Sequence, residues 1–307
     1  MHLLIPFASC LAEGCVSALP TLKLPQLEKL LARLTPDAPD AGDEFNLSTP
    51  HERALARALG LPVQDGLIPW ASHHAPTHGG AAFITPCHWQ VGSHQIAMGD
   101  WPVVDFSEAE SRALMAAMQP FFDEDGITLQ FDDATRWLAF SPVFDDMATA
   151  SLDRIRGRNL ENWMPRDANA APLRRLQNEM QMLLYTHPVN EARSARRVPV
   201  VNSFWLSGTG RLNPSPTALS TAPPLVIDTL RQAALREDWS AWTQAWQQVD
   251  ANECTALLTA LNQGKTVQLT LCGERHAHRF QSGPRSLLQK LSSLFGTQPS
   301  SLLLKAL

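Results

Sequence analysis

Cysteine is scarce and unpatterned in this chain of 307 residues. There are five, Cys10, Cys15, Cys87, Cys254 and Cys272, an odd number with no C-x-x-C spacing. That excludes a disulfide framework and the common structural zinc motifs, and it predicts a reducing, cytoplasmic setting. Positive charge is not concentrated in any block, and the net charge is −5. Neither nucleic acid nor a membrane surface is therefore predicted as a partner. No apolar run reaches transmembrane length. The nearest approach to a targeting segment is MHLLIPFASC, where Ala8 and Ser9 precede Cys10 as in a lipoprotein signal. It has no Lys or Arg ahead of its apolar run, which is short and broken by Pro6, so it reads as a buried first strand.

What is present is a chain long enough for one large or two ordinary domains, with 23 prolines that predict many loops and short helices. LPQLEKLLARL carries Leu24, Leu27, Leu30, Leu31 and Leu34 at helical spacing. Ser48-Thr49-Pro50-His51-Glu52 opens another helix, with Ser48 or Thr49 as N-cap, Pro50 in the first turn and Gly60 at the end. Residues 61–82 read as loop, and AAFITPCHWQVGSHQIAMGD as two short strands. Ser107 to Met118 is a helix with a Ser107/Glu110 capping box. GITLQFDDATRWLAFS alternates as a hairpin does. Ala171 to Tyr185 is a periodic helix that stops before Pro188. VNSFWLSG is strand-like. Helices are predicted around 227–236, at the Trp-rich stretch and around 253–263. TVQLTLCG is a strand, and a last helix is expected at 285–295.

Few residue clusters carry chemistry. Asn190, Arg193 and Asn202 sit beside the strand that ends in Gly208-x-Gly210, and their side chains suit a carboxylate or phosphate. The competing reading has both Asn residues tying down loop backbone and Arg193 as a solvated charge at a helix end. His73, His74, His78, His88 and His94 show no metal-ligand spacing, because Pro76 separates His74 from His78. His276 and His278 alternate on a strand end near Glu274, where a solvated end competes with a metal site. Trp239, Trp242 and Trp246 lie on one helical face, as core or as a partner-binding stripe. Ser48, Thr49 and Cys87 are the nucleophile candidates. For the first two, helix capping competes with catalysis. GxSxG is absent.

HPVNEARSARRVPVVNSFWLSGTG resembles a segment of archaeal-type cofactor-independent phosphoglycerate mutases, members of the alkaline phosphatase superfamily. SLDRIRGRNLENWMP, LPQLEKLLARL and AAFITPCHWQVGS resemble further stretches of that family, in the same order. MHLLIPFAS, STPHERALARALG, SLDRIRGRN and MLLYTHPVN with VNSFWLSG are similar to the proteobacterial regulatory protein RpfE-like family. The resemblance implies an α/β fold with an alkaline-phosphatase-like three-layer core built from residues 1–99 and 200–307. An α+β lobe, residues 100–199, would be inserted, with the polar stretch before VNSFWLSG marking the return to the core.

Active relatives hold two divalent metals around a Ser nucleophile. Their first ligand stands in an LDG triplet closing the first strand, where this chain has Ile5-Pro6-Phe7. Their GSDTAHL nucleophile motif corresponds to Ser48-Thr49-Pro50-His51 or, aligned on Gly60, falls at His51. Their GDHSTP motif faces only Cys272-Gly273-Glu274-Arg275-His276. These departures favour a catalytically degenerate relative with a regulatory or ligand-binding role and no expected cofactor. His187, Asn190, Arg193 and Asn202 would then line a crevice for a small phosphorylated or carboxylated metabolite. One alternative is an active manganese- or zinc-dependent mutase or phosphohydrolase with substitute ligands from His51, the 73–94 histidines, Glu274 and His276. The other is a module that binds a protein partner through the Trp-rich helix.

Overall fold

A computed structural model describes the chain except residues 77–78, 93–94, 167–169, 213–221 and 284–298. The helix expected at 285–295, His78 and His94 lie outside the described residues. In chain order the elements run β1 (His2–Ile5), α1 (Glu13–Ala18), α2 (Pro25–Leu31), β2 (Thr35–Pro36), α3 (Pro50–Leu59), α4 (Trp70–His74), β3 (Ala81–Cys87), β4 (Trp89–Val91), β5 (Ile96–Met98) and α5 (Glu108–Glu124). They continue with β6 (Thr128–Asp133), β7 (Arg136–Phe140), α6 (Leu152–Ile155), α7 (Ala171–Tyr185), α8 (Pro188–Ala195), β8 (Ser203–Ser207), β9 (Leu225–Val226), α9 (Arg231–Leu235), α10 (Trp239–Val249), α11 (Thr255–Asn262), β10 (Gln268–Cys272), β11 (Ala277–Gln281) and α12 (Ser300–Lys305). The chain is a mixed α/β protein. No described helix is long and apolar enough to cross a membrane.

Two compact units form. The first is Met1–Phe45, Thr49–Gly60 and Ala218–Leu307; the second is Asn46–Ser48 with Leu61–Thr217. The sequence places the insertion at 100–199; the structure assigns residues 61–99 and 200–217 to the same unit as that segment. The reason is strand pairing. β3 bonds antiparallel to β7 on one side and to β8 on the other, so VNSFWLSG stays with its hairpin partners rather than returning to the first unit.

The first unit is built on a sheet ordered β2-β11-β10-β1-β9. β1 runs parallel to both β10 and β9, and β11 and β2 extend the sheet antiparallel. Leu3, Leu4 and Ile5 are all buried, as expected of a strand covered on both faces. α10 supplies much of one core. Trp242 and Trp246 are fully buried, with Trp239 packed against the same cluster. The three indoles stack edge-on, 6.1 and 6.4 Å between successive ring centres. A π turn (Asp250–Cys254) joins α10 to α11. In it, Asp250 accepts from the backbone N–H groups of Gln26 and Leu27 at the start of α2, at 3.2 and 2.7 Å.

The second unit carries a sheet ordered β6-β7-β3-β8, packed on α5 and α7. The Ser107/Glu110 box opens α5, with the Ser107 N–H donating to Glu110 Oε2 at 2.9 Å. The helix runs through Pro120 to Glu124, beyond its expected end. Burial explains this: Phe122 on the last turn is fully enclosed and meets Phe204 at 5.3 Å, and tertiary packing outweighs the one hydrogen bond that proline removes. Residues 61–82 hold α4 and the start of β3, and the stretch read as two strands contains β3, β4 and β5.

Candidate functional site

In an open α/β sheet, ligands collect beyond the carboxyl ends of the parallel strands. In the first unit that position lies past Ile5 and Cys272. β1 is followed by Pro6 and Phe7, and Phe7 takes a left-handed backbone conformation at φ 54°. The turn is locked on three sides. Trp242 Nε1 donates to the Phe7 carbonyl at 2.9 Å, Trp246 Nε1 donates to the Ala8 carbonyl at 3.2 Å, and the Ala8 N–H donates to the Cys272 carbonyl at 2.8 Å. The Trp-rich helix thus serves as a core clamp on this turn. With two indoles wholly buried, it does not present the stripe that partner binding requires.

The Phe7 ring packs on His51, centroids 5.3 Å apart. His51 occupies the first turn of α3, where Pro50 stands at the first helical position and Thr49 is the N-cap. Thr49 and Glu52 form a capping box, and the Thr49 hydroxyl also donates to Glu52 Oε2 at 2.9 Å. His51 Nε2 lies 3.1 Å from the same hydroxyl. One hydroxyl proton cannot serve both acceptors, so with Glu52 accepting it His51 is the donor to Thr49 and not its base. Ser48 accepts from the Gly66 N–H at 2.8 Å and holds backbone in the second unit. Cys87 is fully buried and desolvation pushes its thiol up, which removes it as a nucleophile.

The remaining metal-ligand candidates are also engaged. Glu274 accepts from the Leu11 N–H, and His276 Nδ1 accepts from the Gly42 N–H. In the second unit, His74 pairs with Asp132 at 3.2 Å, His73 packs on Trp70, and His88 meets the Val200 carbonyl at 2.9 Å. Among the described residues no three His, Cys, Asp or Glu side chains converge as a metal site would require.

The four residues expected to line a metabolite crevice have other work in the second unit. His187 caps α8, its Nδ1 accepting from the Val189 N–H at 3.2 Å, and burial lowers its pKa. Asn190 is buried and holds both ends of a loop. Its Nδ2 donates to the Leu184 and Val201 carbonyls, and its Oδ1 accepts from the Val201 N–H. Asn202 exchanges two bonds with the Trp89 backbone, at 2.7 and 2.9 Å. Arg193 is fully buried, unlike the solvated charge of the competing sequence reading. It donates to the carbonyls of Pro199, Asp105 and Val104 and to Glu110. Asn190, Asn202 and Arg193 thus bond to backbone and to Glu110 within the fold, and His187 uses Nδ1 as a cap. Sequence alone could not separate a polar group aimed at a ligand from one aimed at its own backbone.

A cavity of about 330 Å³ opens elsewhere in the first unit, between α3 and the sheet. Its polar lining is His2, Asp37, Asp40, Arg57, Thr270 and Arg279. Arg57 pairs with Asp40 at 2.7 Å and Arg279 with Asp37 at 2.6 Å, and both arginine side chains are 46% exposed. Burial opposes ionisation of Asp40, but Arg57 and Arg53 outweigh it and hold its carboxyl below the usual range. His2, bonded to the Thr270 hydroxyl at 2.8 Å, has its pKa lowered to about 4 by burial, then by Arg279 and the amino terminus. The lining therefore presents two guanidinium groups, two carboxylates and a neutral imidazole at pH 7. No sequence motif marked this place, since its residues come from five separate segments.

No family model matches the sequence, and no curated protein does. Among solved structures, the chain is similar to a cofactor-independent phosphoglycerate mutase from Thermoplasma acidophilum DSM 1728, with 13% identity over 100% of this chain and 98% of that one, at a TM-score of 0.38. It is also similar to the PH0037 protein from Pyrococcus horikoshii, with 10% identity over 94% of this chain and 88% of that one, at a TM-score of 0.47. Both scores are below 0.5, so the functional argument rests on the residues themselves.

Proposed function

We propose that this protein is a catalytically silent relative of the phosphoglycerate mutases that acts as a regulatory, small-ligand-binding protein. The observation that supports it is the filled turn after β1. Where the resembling enzymes present an acidic metal ligand, this chain has Pro6, and Phe7 beside it packs its ring on His51 while its carbonyl is held by Trp242. Two-metal phosphoryl transfer needs a cation pair to neutralise the attacking and leaving oxygens. Neither Pro6 nor Phe7 has a side chain that could hold such a pair, and Glu274 and His276 accept from backbone N–H groups.

The ligand in this reading is a small carboxylated or phosphorylated metabolite, and its place is the cavity beside Arg57 and Arg279. Guanidinium pairs grip such anions through planar N–H forks. The neighbouring carboxylates favour a ligand that also carries a donor or a positive group. Titration calorimetry against a panel of small carboxylates, phosphate esters and amino acids tests this. Binding that weakens about 10-fold or more in Arg57→Ala, with the fold intact, is the expected result. Binding by wild type that is indifferent to both Arg57→Ala and Arg279→Ala would refute the cavity assignment.

The competing reading, an active enzyme with Thr49 as nucleophile, needs His51, 3.1 Å from the Thr49 hydroxyl, to take the proton that Glu52 accepts in this structure. That reading requires phosphatase or mutase turnover that Thr49→Ala abolishes.

A further inference from the structure

We propose that Cys10 and Cys15 are a redox-active dithiol that closes to an intramolecular disulfide when oxidised by a peroxide. Cys10 ends the turn that leaves β1, and Cys15 lies in α1, five residues on. The Cys10 N–H donates to Cys15 Sγ at 3.2 Å, which sets the Cys15 sulfur against the Cys10 backbone. Both are free; Cys10 is 7% exposed and Cys15 is fully buried. The helix cannot swing away freely, because a side chain at Gly14 would stand 2.2 Å from the Trp239 indole. Closure therefore joins two residues already tied by the Cys10 N–H to Cys15 Sγ bond. The other three thiols, Cys87, Cys254 and Cys272, are buried and pushed up by desolvation.

The environment separates the roles of the pair. The Cys10 thiol, donating to Cys15, stabilises a Cys15 thiolate; burial opposes this, and the Cys10 N–H and the Ser9 hydroxyl add support. The same contact, with burial, raises Cys10 and keeps it protonated. Glu274 faces both sulfurs and Glu237 faces Cys10, and their negative charge works against ionisation. Cys15 lies below its ordinary value despite them.

The chemistry balances with hydrogen peroxide as oxidant. The thiolate attacks one peroxide oxygen, an S–O bond forms, the O–O bond breaks, and hydroxide leaves to take up a proton. The second sulfur then displaces water from the sulfenic acid as the S–S bond forms. Two thiols and one peroxide give one disulfide and two waters.

The pair also sits at a mechanically informative place. Trp242 and Trp246 hold the carbonyls of Phe7 and Ala8, two residues or fewer before Ser9-Cys10. Disulfide closure pulls on this turn, so indole emission reports it.

The test uses the full chain. Reduced protein is treated with limiting hydrogen peroxide, quenched with an alkylating agent and digested with trypsin, which places both cysteines in peptide 1–23. The expected product is that peptide lighter by two hydrogens and unalkylated, formed at least ~10-fold faster than any modification of Cys87, Cys254 or Cys272. It is restored by dithiothreitol and accompanied by a change in tryptophan emission. Cys10→Ser should give a sulfenic acid at Cys15 that a dimedone probe traps. The inference is overturned if wild-type Cys10 and Cys15 oxidise no faster than the other three. It is equally overturned if they pass to sulfinic acid without an S–S product.

Discussion

Replacing Arg193 by alanine separates a ligand-binding arginine from a scaffold arginine. The side chain is fully buried and donates to three backbone carbonyls and one carboxylate. Pro199, Asp105 and Val104 are themselves exposed residues, so water partly rehydrates their carbonyls once the guanidinium is gone. Each lost bond is then worth about 0.5–1.5 kcal/mol rather than the larger penalty of a sealed acceptor. Glu110 keeps Arg196, which limits the loss from the ion pair. With the stacking on Phe106 at 5.5 Å, the total is about 3–5 kcal/mol. Arg193→Lys recovers less than half of this, since one ammonium cannot span three carbonyls. Urea unfolding followed by far-UV circular dichroism measures it. At about 2–3 kcal/mol per molar, the midpoint falls by roughly 1–2 M. A variant that unfolds within about 0.5 kcal/mol of wild type but loses affinity for a small carboxylate or phosphate would refute the scaffold role.

Other perturbations report on the first unit. Trp242→Phe removes the indole donor to the Phe7 carbonyl and leaves a void, at a cost of about 2 kcal/mol in thermal or urea unfolding; no measurable loss would contradict the clamp. Acid sensitivity follows from His2. Its folded pKa, about 4, lies below the unfolded value of about 6.5, so the unfolded chain takes the proton first as pH falls. The His2 contribution is therefore complete above about pH 6.5 and is lost progressively toward pH 4. It amounts to about 1–2 kcal/mol after discounting for partial exposure. His2→Gln should flatten stability across that window in unfolding curves at pH 7, 6 and 5, and an unchanged slope would contradict it.

Much of the fold was legible in the sequence because local physics and tertiary packing agree there. The HLLI strand, the Thr49-Pro50…Gly60 helix, the Ser107/Glu110 box and the β6–β7 hairpin each follow from periodicity and end signals. Where packing overrides local signals, the boundaries move. α5 passes Pro120 to bury Phe122, and VNSFWLSG stays paired in the second unit rather than leaving it. The site was less legible. Asn190, Arg193 and Asn202 have the chemistry of ligand binders, but hydrogen-bonding capacity does not reveal its target. The Trp stripe was readable as core or surface until its depth was known. The cavity near Arg57 draws on residues far apart in the chain, and Cys10 and Cys15 lack the C-x-x-C spacing that marks a redox pair in sequence.

Metal stoichiometry measured together with phosphoryl transfer tests the central claim most directly. The full chain is equilibrated with manganese or zinc, freed of excess ion, analysed for bound metal, and assayed for phosphoglycerate mutase and phosphomonoesterase turnover. The filled turn at Phe7 predicts no stoichiometric pair of ions and no turnover above the rate without protein. Two ions retained per chain, with turnover that depends on them, would contradict it.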